Sequence, residues 1–174
     1  MQEKFTFFWD GSFSQWATSY FTVNGIHYNC CEQYMMANKA ILFEGPEWFC
    51  ANKDGDLELT TLGKIMFSNS PHEQKELGKK VKNFNEKKWA EVRKSIVYDG
   101  NLAKYSQNNS FKFLLFKTAG TTLVEASPRD RIWGIGLSKN DSRALNRELW
   151  LGLNLLGEVL TQVREDLMNG KTTN

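Results

Sequence analysis

The dipeptide Asn24-Gly25 constrains the fold of this chain more than any other sequence feature. It lies between two β-prone runs in the segment YFTVNGIHY. Asn-Gly favours a type I′ turn, because both central residues of that turn adopt positive φ angles. The sequence therefore predicts a β-hairpin close to the N-terminus. The alternating aromatics of residues 5–9 indicate strand character just before it.

Much of the remaining chain has a helical pattern. Apolar residues recur at helical spacing in residues 31–43 and 152–168. Ser70, Pro71 and Glu73 form a start signal like a capping box, for a helix that runs to about Lys82. These segments make helix the dominant secondary structure.

Weaker patterns complete the prediction. Helices are expected at residues 57–67, from residue 85 to Asp99-Gly100, and within 101–117, where Asn109 or Ser110 is the predicted cap. The β-branched segment TTLVEAS, residues 121–127, predicts a short strand. We therefore expect an α+β fold that is predominantly α-helical. It is predicted as a single compact domain over residues 1–170, with an N-terminal β-hairpin and a few short strands, followed by a frayed tail at 171–174.

Composition limits the partners and the location. The chain has 174 residues and a formal net charge of +2, so no global basic field indicates a nucleic-acid binder. Three cysteines with a vicinal pair, Cys30-Cys31, make a poor disulfide framework and favour a reducing compartment. With only two histidines, no metal and no cofactor are expected. Neither a signal peptide nor an apolar run of membrane-spanning length stands out. The prediction is a cytoplasmic or nuclear monomer without a membrane partner.

The segment CCEQYMMANKA places two charges on one helix face. Glu32 and Lys39 are seven residues apart, which puts them within roughly 20° of each other on an α-helix. One interpretation is that both lie at the rim and reach water. The other is a buried pair, because a charge is not buried without a partner. The pattern alone leaves both open.

Two further segments are candidates for ligand contact. In VEASPRDRIWGIG, Asp130 lies at a strand-to-loop transition, where catalytic groups are often found. Trp133 precedes Gly134 and Gly136. This pattern suggests a flat ring that stacks on a ligand, beside a backbone that bends closely round it. A turn with a core tryptophan is the alternative. Trp89, in a helical pattern, is open to the same two interpretations.

Five segments, in this order, resemble motifs of the NADAR family. They are GSFSQW at 11–16, EQYMMANK at 32–39, KKWAEVR at 87–93, VEASPRDRIWGIG at 124–136 and GLNLLGEVLTQVR at 152–164. The resemblance covers roughly residues 5–168. Two departures stand out. Some relatives have Ser-Glu-His where this chain has Cys31-Glu32-Gln33, and the loop between Gly136 and Gly152 is long.

The resemblance implies an α-rich α+β fold and cleavage of an N–C1′ bond of a ribose. Two substrate classes occur in the family: ADP-ribose attached to guanine, and ribosylamine-type intermediates of riboflavin synthesis. The first is the favoured prediction here and the second is the alternative. A non-catalytic ADP-ribose or nucleotide binding module is a third hypothesis. The implied partner is ADP-ribose or a ribose phosphate, with an ADP-ribosylated nucleic acid as a further candidate.

On this resemblance, Glu32 is the carboxylate that stabilises positive charge at C1′ or activates water. Lys39 protonates the departing nitrogen or forms a Schiff base with an opened ribose. Asp130 holds a ribose hydroxyl or acts as a second acid/base, and Trp89 and Trp133 stack on the base.

The remaining predicted contacts are weaker. Asn154 and the backbone near Gly134 and Gly136 are expected to hold hydroxyls or phosphate. Ser12 and Ser14 are further phosphate candidates.

Overall fold

The structure, a computed structural model, describes residues 3–171. Residues 172–174 of the predicted frayed tail lie outside the described residues. Within residues 3–171, no helix has the length and apolar character needed to cross a membrane.

The secondary structure is mostly helical, with short strands. The strands of the described chain are β1 (Phe5–Phe8), β2 (Phe21–Val23), β3 (Ile26–Tyr28), β4 (Phe49–Ala51), β5 (Leu57–Leu59) and β6 (Thr122–Glu125). Its α-helices are α1 (Cys31–Glu44), α2 (Thr61–Phe67), α3 (Pro71–Lys79), α4 (Glu86–Gln107), α5 (Asn109–Phe116) and α6 (Leu155–Met168). The predicted fold class, α+β and predominantly α-helical, is confirmed.

The contacts divide the chain into two compact units. Unit 1 comprises Met1–Ala17 and Asn101–Asn174, and unit 2 comprises Thr18–Gly100. Helix α4 contributes its first part to unit 2 and its last part to unit 1. The single domain over residues 1–170 stays a prediction.

The N-terminal hairpin of unit 2 is confirmed. Strands β2 and β3 pair antiparallel, with Val23 opposite Ile26. The two residues between them have φ angles of 51° at Asn24 and 78° at Gly25. Both values are positive, as the Asn-Gly signal requires.

Gly25→Ala is expected to destabilise the protein by about 1 kcal/mol, because an L side chain is strained at this φ. A Cβ at this position meets nothing within 4 Å, so steric clash adds no further cost. Urea unfolding of wild type and variant measures the difference. Asn24→Asp, which keeps a residue type that tolerates positive φ, serves as the control. Unchanged stability in Gly25→Ala would show that the hairpin backbone relaxes without strain.

Helix α1 is the centre of unit 2. Its residues 31–37 are all buried, so the first two turns of the helix are enclosed on every side rather than along one stripe. The hairpin covers its first turn through aromatic contacts: the Tyr28 and Tyr34 ring centroids are 4.9 Å apart and meet edge to face. A helix buried in this way holds its side chains in fixed positions.

A glutamine fixes the start of α1 against the end of α2. The buried Gln33 amide donates to the carbonyls of Ile65 and Met66, both at 3.1 Å, and its oxygen accepts from Asn29 N–H at 2.8 Å. The last carbonyls of a helix lack partners within the helix. Gln33 therefore caps α2 from the side and fixes it against the first turn of α1.

The start of α3 is confirmed at Ser70, whose Oγ accepts from Glu73 N–H at 3.3 Å. The helix ends at Lys79, three residues before the predicted end. The reciprocal half of the capping box is different. The Glu73 carboxylate accepts from the Ser68 hydroxyl at 2.6 Å, and the Ser70 N–H donates to Ser68 Oγ at 3.2 Å.

Two predictions around α4 and α5 were wrong. Helix α4 continues through Gly100 instead of ending there. A Cβ at Gly100 would lie 2.6 Å from Tyr34 Cδ1, so this glycine allows close packing and does not mark a helix end. Helix α5 includes Asn109 and Ser110 as helical residues, and its N-cap is Asn108, which makes no side-chain cap bond.

The segment at residues 57–67 was only partly predicted. It begins as strand β5, which pairs antiparallel with β4, a strand that the sequence did not indicate. Only from Thr61 is it helical, after Thr60 Oγ1 accepts from Gly63 N–H at 3.1 Å. The polar turn at residues 52–56 joins β4 to β5 as a hairpin. The first part of the predicted helix is therefore a strand.

Unit 1 is built on a parallel strand pair. Strands β1 and β6 run side by side from Phe5 opposite Thr122 to Phe8 opposite Glu125, which confirms the predicted strand at β6. Helix α6 supplies a buried apolar face. Its Arg164, only 2% exposed, donates to Thr118 O at 2.7 Å and to Thr121 O at 2.8 Å. This arginine ties α6 to the turn that leads into β6.

Candidate active site

Glu32 lies in the first turn of α1, in unit 2. The preceding Cys30 is the N-cap and accepts from Gln33 N–H. Glu32 is only 4% exposed, so the interpretation of a solvated rim position is wrong for this residue. The helix N-terminus carries a partial positive charge, which favours a carboxylate there. The fold therefore keeps an acidic group in the interior at a place that suits its ionised form.

Lys39 lies two turns further along α1 and is half-buried. Its ammonium donates to Gly78 O at 2.8 Å, at the end of α3. It also lies 4.1 Å from the Phe84 ring centroid and 5.9 Å from the Trp89 ring centroid. A cation held over aromatic rings and one carbonyl is fixed in position, yet it has fewer polar partners than in water.

The pKa of Lys39 is lowered from its ordinary value, because burial disfavours the charged amine. The negative charges of Glu86 and Glu32 oppose this by raising the pKa. Glu32 thus acts electrostatically on Lys39, as the shared helix face predicts. A lysine with a lowered pKa provides the neutral amine more readily than an ordinary lysine.

Trp89 completes this group. It is 6% exposed on α4, and its ring faces the Lys39 ammonium. We call Glu32, Lys39, Phe84 and Trp89 the α1 cluster. Three of its members were predicted from the sequence, and Phe84 was missed. The cluster combines a buried carboxylate, an amine with lowered basicity and flat aromatic surface, the groups that acid/base chemistry on a ring-bearing substrate requires.

Asp130 belongs to unit 1, in the loop after β6. Its Oδ1 accepts from the N–H groups of Ile132 and Trp133, both at 2.8 Å. The carboxylate therefore stabilises the turn that follows it and fixes the backbone of Trp133. The Trp133 side chain is half-buried. Gly134 and Gly136 follow and are both buried. A Cβ on Gly134 would lie 2.8 Å from Glu125 O, so the loop backbone lies directly against the end of β6.

Asn154 is fully buried and has a φ of 53°. Its Nδ2 donates to Leu123 O at 3.0 Å, and its Oδ1 accepts from Glu125 N–H at 2.9 Å. The carboxamide thus holds β6 against the start of α6. Its predicted contact with a ligand hydroxyl or phosphate stays a prediction.

Ser12 and Ser14 lie shortly after β1 in unit 1. Both contact a buried lysine that was not predicted from the sequence. Lys104, fully buried, donates to the carbonyls of Ser12 at 2.9 Å and Ser14 at 3.2 Å. The Tyr105 hydroxyl also donates to Ser12 O, at 3.0 Å. A lone lysine among small and apolar residues, as in NLAKY, is the signal that could have identified it.

The structure thus places the predicted residues in two groups. Unit 2 holds Glu32, Lys39 and Trp89 together in the α1 cluster. Unit 1 holds the others around the ends of β1 and β6 and the start of α6: Ser12, Ser14, Asp130, Trp133, Gly134, Gly136 and Asn154.

The arrangement can be compared with known proteins. The family model described as the NADAR domain matches residues 7–168. This chain belongs to the NADAR family. Its resemblance to that family, seen first in five short motifs, is thereby confirmed over nearly the whole sequence.

Two curated proteins and one solved structure are similar to this chain. The protein irg-1 of Caenorhabditis elegans is 42% identical over 82% of this chain, which spans 62% of that protein. An N-glycosidase of Acanthamoeba polyphaga mimivirus is 40% identical over 88% of this chain and 86% of its own length. The NMR structure of YbiA from E. coli has a TM-score of 0.71 and 24% identity, over 97% of this chain and 88% of YbiA. This likeness shows that the two proteins share a fold.

Proposed function

We propose that this NADAR protein is an N-glycosidase that hydrolyses the bond between a base nitrogen and C1′ of an ADP-ribose or ribose phosphate group. The favoured substrate is ADP-ribosylated guanine. The mimivirus relative named an N-glycosidase, 40% identical, supports the reaction class. The observation that carries the proposal is the α1 cluster, in which a buried carboxylate and an amine of lowered pKa lie two turns apart on one face of a helix.

Glu32 supplies the central step. As the C1′–N bond breaks, its electron pair leaves with the nitrogen and positive charge develops at C1′. A buried carboxylate stabilises that charge more strongly than an exposed one, since little water screens it. Water then adds its oxygen to C1′ and gives a proton to Glu32. The departing nitrogen takes up a proton, so the sum is hydrolysis.

Lys39 fits either of two steps. As an ammonium it donates the proton to the departing nitrogen. As a neutral amine it adds to C1′ of an opened ribose, the base nitrogen leaves with a proton, and water hydrolyses the resulting imine to release the lysine. Burial lowers its pKa, which increases the neutral fraction and favours the second role.

Sodium borohydride added together with ADP-ribose is expected to attach the sugar covalently to Lys39. Hydride reduces the imine to a stable secondary amine, which intact-protein and peptide mass spectrometry detect. The matched control is Lys39→Arg, which keeps the charge but forms no imine and should remain unmodified. An unmodified wild-type protein would assign Lys39 to proton donation alone.

The rings of Phe84 and Trp89 lie next to the Lys39 ammonium. Such rings can stack on a base and keep water away from the imine. In unit 1, Asp130 and Trp133 are held by the same loop. Their predicted roles, in ribose contact and base stacking, remain predictions.

Release of free ADP-ribose from guanine-ADP-ribosylated DNA, RNA and nucleotide tests the proposal. Chromatography of the released sugar should show turnover on at least one of these three substrates. A fourth substrate, a ribosylamine intermediate of riboflavin synthesis, tests the alternative. Turnover of that substrate alone would keep the glycosidase and replace the substrate. Inactivity on all four would leave a nucleotide-binding module.

A further inference from the structure

The hairpin of β4 and β5 in unit 2 has an open edge. The two strands form a sheet of their own, and along its outer edge β4 meets no other strand of residues 3–171. All three residues of β4 are exposed. An exposed edge strand presents unpaired N–H and C=O groups, which makes it a template for pairing with another chain. The proposed reaction does not use this hairpin.

The hydrogen-bond pattern of the hairpin shows which backbone groups of β4 point outwards. Two inter-strand bonds bracket β4, and they join Asn52 N–H to Asp56 O at 2.8 Å and Thr60 N–H to Trp48 O at 3.0 Å. Bonded pairs alternate along an antiparallel ladder, so the backbone of Cys50, midway between these two bonds, faces β5. The backbone groups of Phe49 and Ala51 therefore point to the open edge.

One face of the same hairpin is apolar and exposed. Phe49, Ala51 and Leu57 share this face, because Ala51 is opposite Leu57 and side chains alternate along a strand. Phe49 is 44% exposed and Leu57 is 73% exposed. The exposed Phe67 of α2 extends the face, with its ring centroid 6.3 Å from that of Phe49. Contiguous exposed apolar surface is typical of an interaction site.

The β4 edge is complementary to itself. A two-fold axis at Cys50 places Phe49 of one copy opposite Ala51 of the other, and the outward backbone groups of these residues then exchange N–H···O bonds. The large Phe49 side chain packs beside the small Ala51 of the second copy, and the two Phe49 rings are diagonal neighbours within reach of each other. The two Cys50 residues form the central pair that is not hydrogen-bonded.

The charges on either side of β4 match in this register. Just beyond the strand ends, the exposed Glu47 of one copy lies opposite the exposed Lys53 of the other, and the symmetry creates this pair twice. The segment between them, residues 48–52, carries no charge. A two-fold axis at either neighbouring residue would separate the opposite charges. The β5 edge lacks this complementarity, because Asp56 and Glu58 would bring carboxylates together.

We propose that this protein forms a two-fold homodimer, in which two β4 strands pair antiparallel around Cys50 and join the two hairpins into one continuous sheet. The paired strand is short, so the dimer is reversible and its fraction increases with protein concentration. This state differs from the monomer expected from the sequence. The inference goes beyond the proposed reaction, and its tests need no substrate, so a failed glycosidase assay and a failed dimer are separate results.

Sedimentation velocity of the full chain across a concentration series tests the dimer. Wild type should shift from monomer to dimer as concentration rises. Glu47→Lys and Lys53→Glu each place like charges opposite one another twice, so each should weaken dimerisation at least about tenfold. An equimolar mixture of the two variants should restore the dimer, because a mixed dimer again has opposite charges at both positions.

The exposed Lys64 on α2 provides the matched control, and Lys64→Glu should dimerise like wild type. Wild type that stays monomeric at every concentration would overturn the proposal. A dimer that both Glu47→Lys and Lys53→Glu leave unchanged would overturn it as well, because that dimer would use another surface.

Cys50 allows a chemical test of the register. It is exposed, whereas Cys30 and Cys31 are buried. The central Cα atoms of the proposed pair are about 4.5 Å apart, a separation that a disulfide can span. Diamide, a thiol oxidant, takes one hydrogen from each thiol as the S–S bond forms. Wild type should then give a covalent dimer on a non-reducing gel, and peptide mass spectrometry should find Cys50 linked to Cys50.

Cys50→Ser should give no covalent dimer under the same conditions. Lys53→Glu, which keeps Cys50 but repels the second copy, should cross-link much less than wild type. Equal cross-linking of wild type and Lys53→Glu would overturn the proposal, because random collision would then explain the disulfide.

Discussion

Glu32→Gln is expected to lower turnover by about 10³-fold, the usual range for loss of a positioned acid/base group. The change removes a negative charge and keeps the shape of the side chain. Because Glu32 is 4% exposed, no mobile surface carboxylate can replace it. Single-turnover release of ADP-ribose from the best substrate measures the effect on the chemical step. The loss should appear in kcat, with substrate binding nearly intact.

The same variant should keep most of the stability of wild type, because the lower cost of burying a neutral amide offsets the lost attraction to the helix N-terminus. Thermal unfolding therefore separates a chemical role from a structural one. Glu91→Gln, an exposed position on α4, is the control and should retain full activity. Wild-type turnover in Glu32→Gln would remove this carboxylate from the mechanism. Reduced turnover with a lower Tm would show that the residue mainly supports folding.

Arg164→Ala is expected to destabilise the protein by about 3–5 kcal/mol, because each buried acceptor left without a donor costs about 1–3 kcal/mol and the lost side chain leaves a cavity. The guanidinium donates to Thr118 O, Thr118 Oγ1 and Thr121 O at 2.7–2.9 Å. Without it, these buried and half-buried acceptors lose their charged donor, and a cavity remains beside α6. The midpoint of urea unfolding should fall accordingly, and Tm should fall by roughly 10 °C for a chain of this size.

Arg147 is the matched control for this prediction. It also belongs to unit 1 and pairs with Glu3 at 2.6 Å, but its side chain is 43% exposed. Exposed pairs contribute about 1 kcal/mol or less, so Arg147→Ala should change the unfolding free energy little. Arg164→Lys should fall between the two, because it keeps the charge and loses the planar set of donors. Equal effects at both arginines would contradict the argument from burial.

Local sequence signals predicted the elements that local chemistry determines. Asn24-Gly25 and the Ser70 cap act within a few residues, and both are confirmed. Gly100 was predicted to end a helix. Instead, it lets α4 pack closely against Tyr34, which is far away in sequence. The pairing of β1 with β6 likewise depends on the tertiary fold and leaves no mark in either strand alone.

The candidate site shows the same division. Helical spacing placed Glu32 and Lys39 on one face, and the electrostatic effect of Glu32 on Lys39 agrees with it. It did not show that Glu32 is buried, because enclosure of α1 depends on what packs around it. Phe84 and Lys104 were missed for the same reason. Family motifs identified Trp89, whose contact with Lys39 no periodicity could reveal.

The parallel pair of β1 and β6 affects how the chain is made. Thr6 and Thr121, whose hydroxyls lie 2.7 Å apart beside the two strands, are separated by 115 residues. Unit 2 is continuous in sequence and can fold as soon as it leaves the ribosome. Strand β1 emerges first yet must wait for β6, and closing so long a loop is slow. The newborn chain therefore carries an unpaired aromatic strand until β6 has been synthesised, the period in which a chaperone has the most reason to hold it.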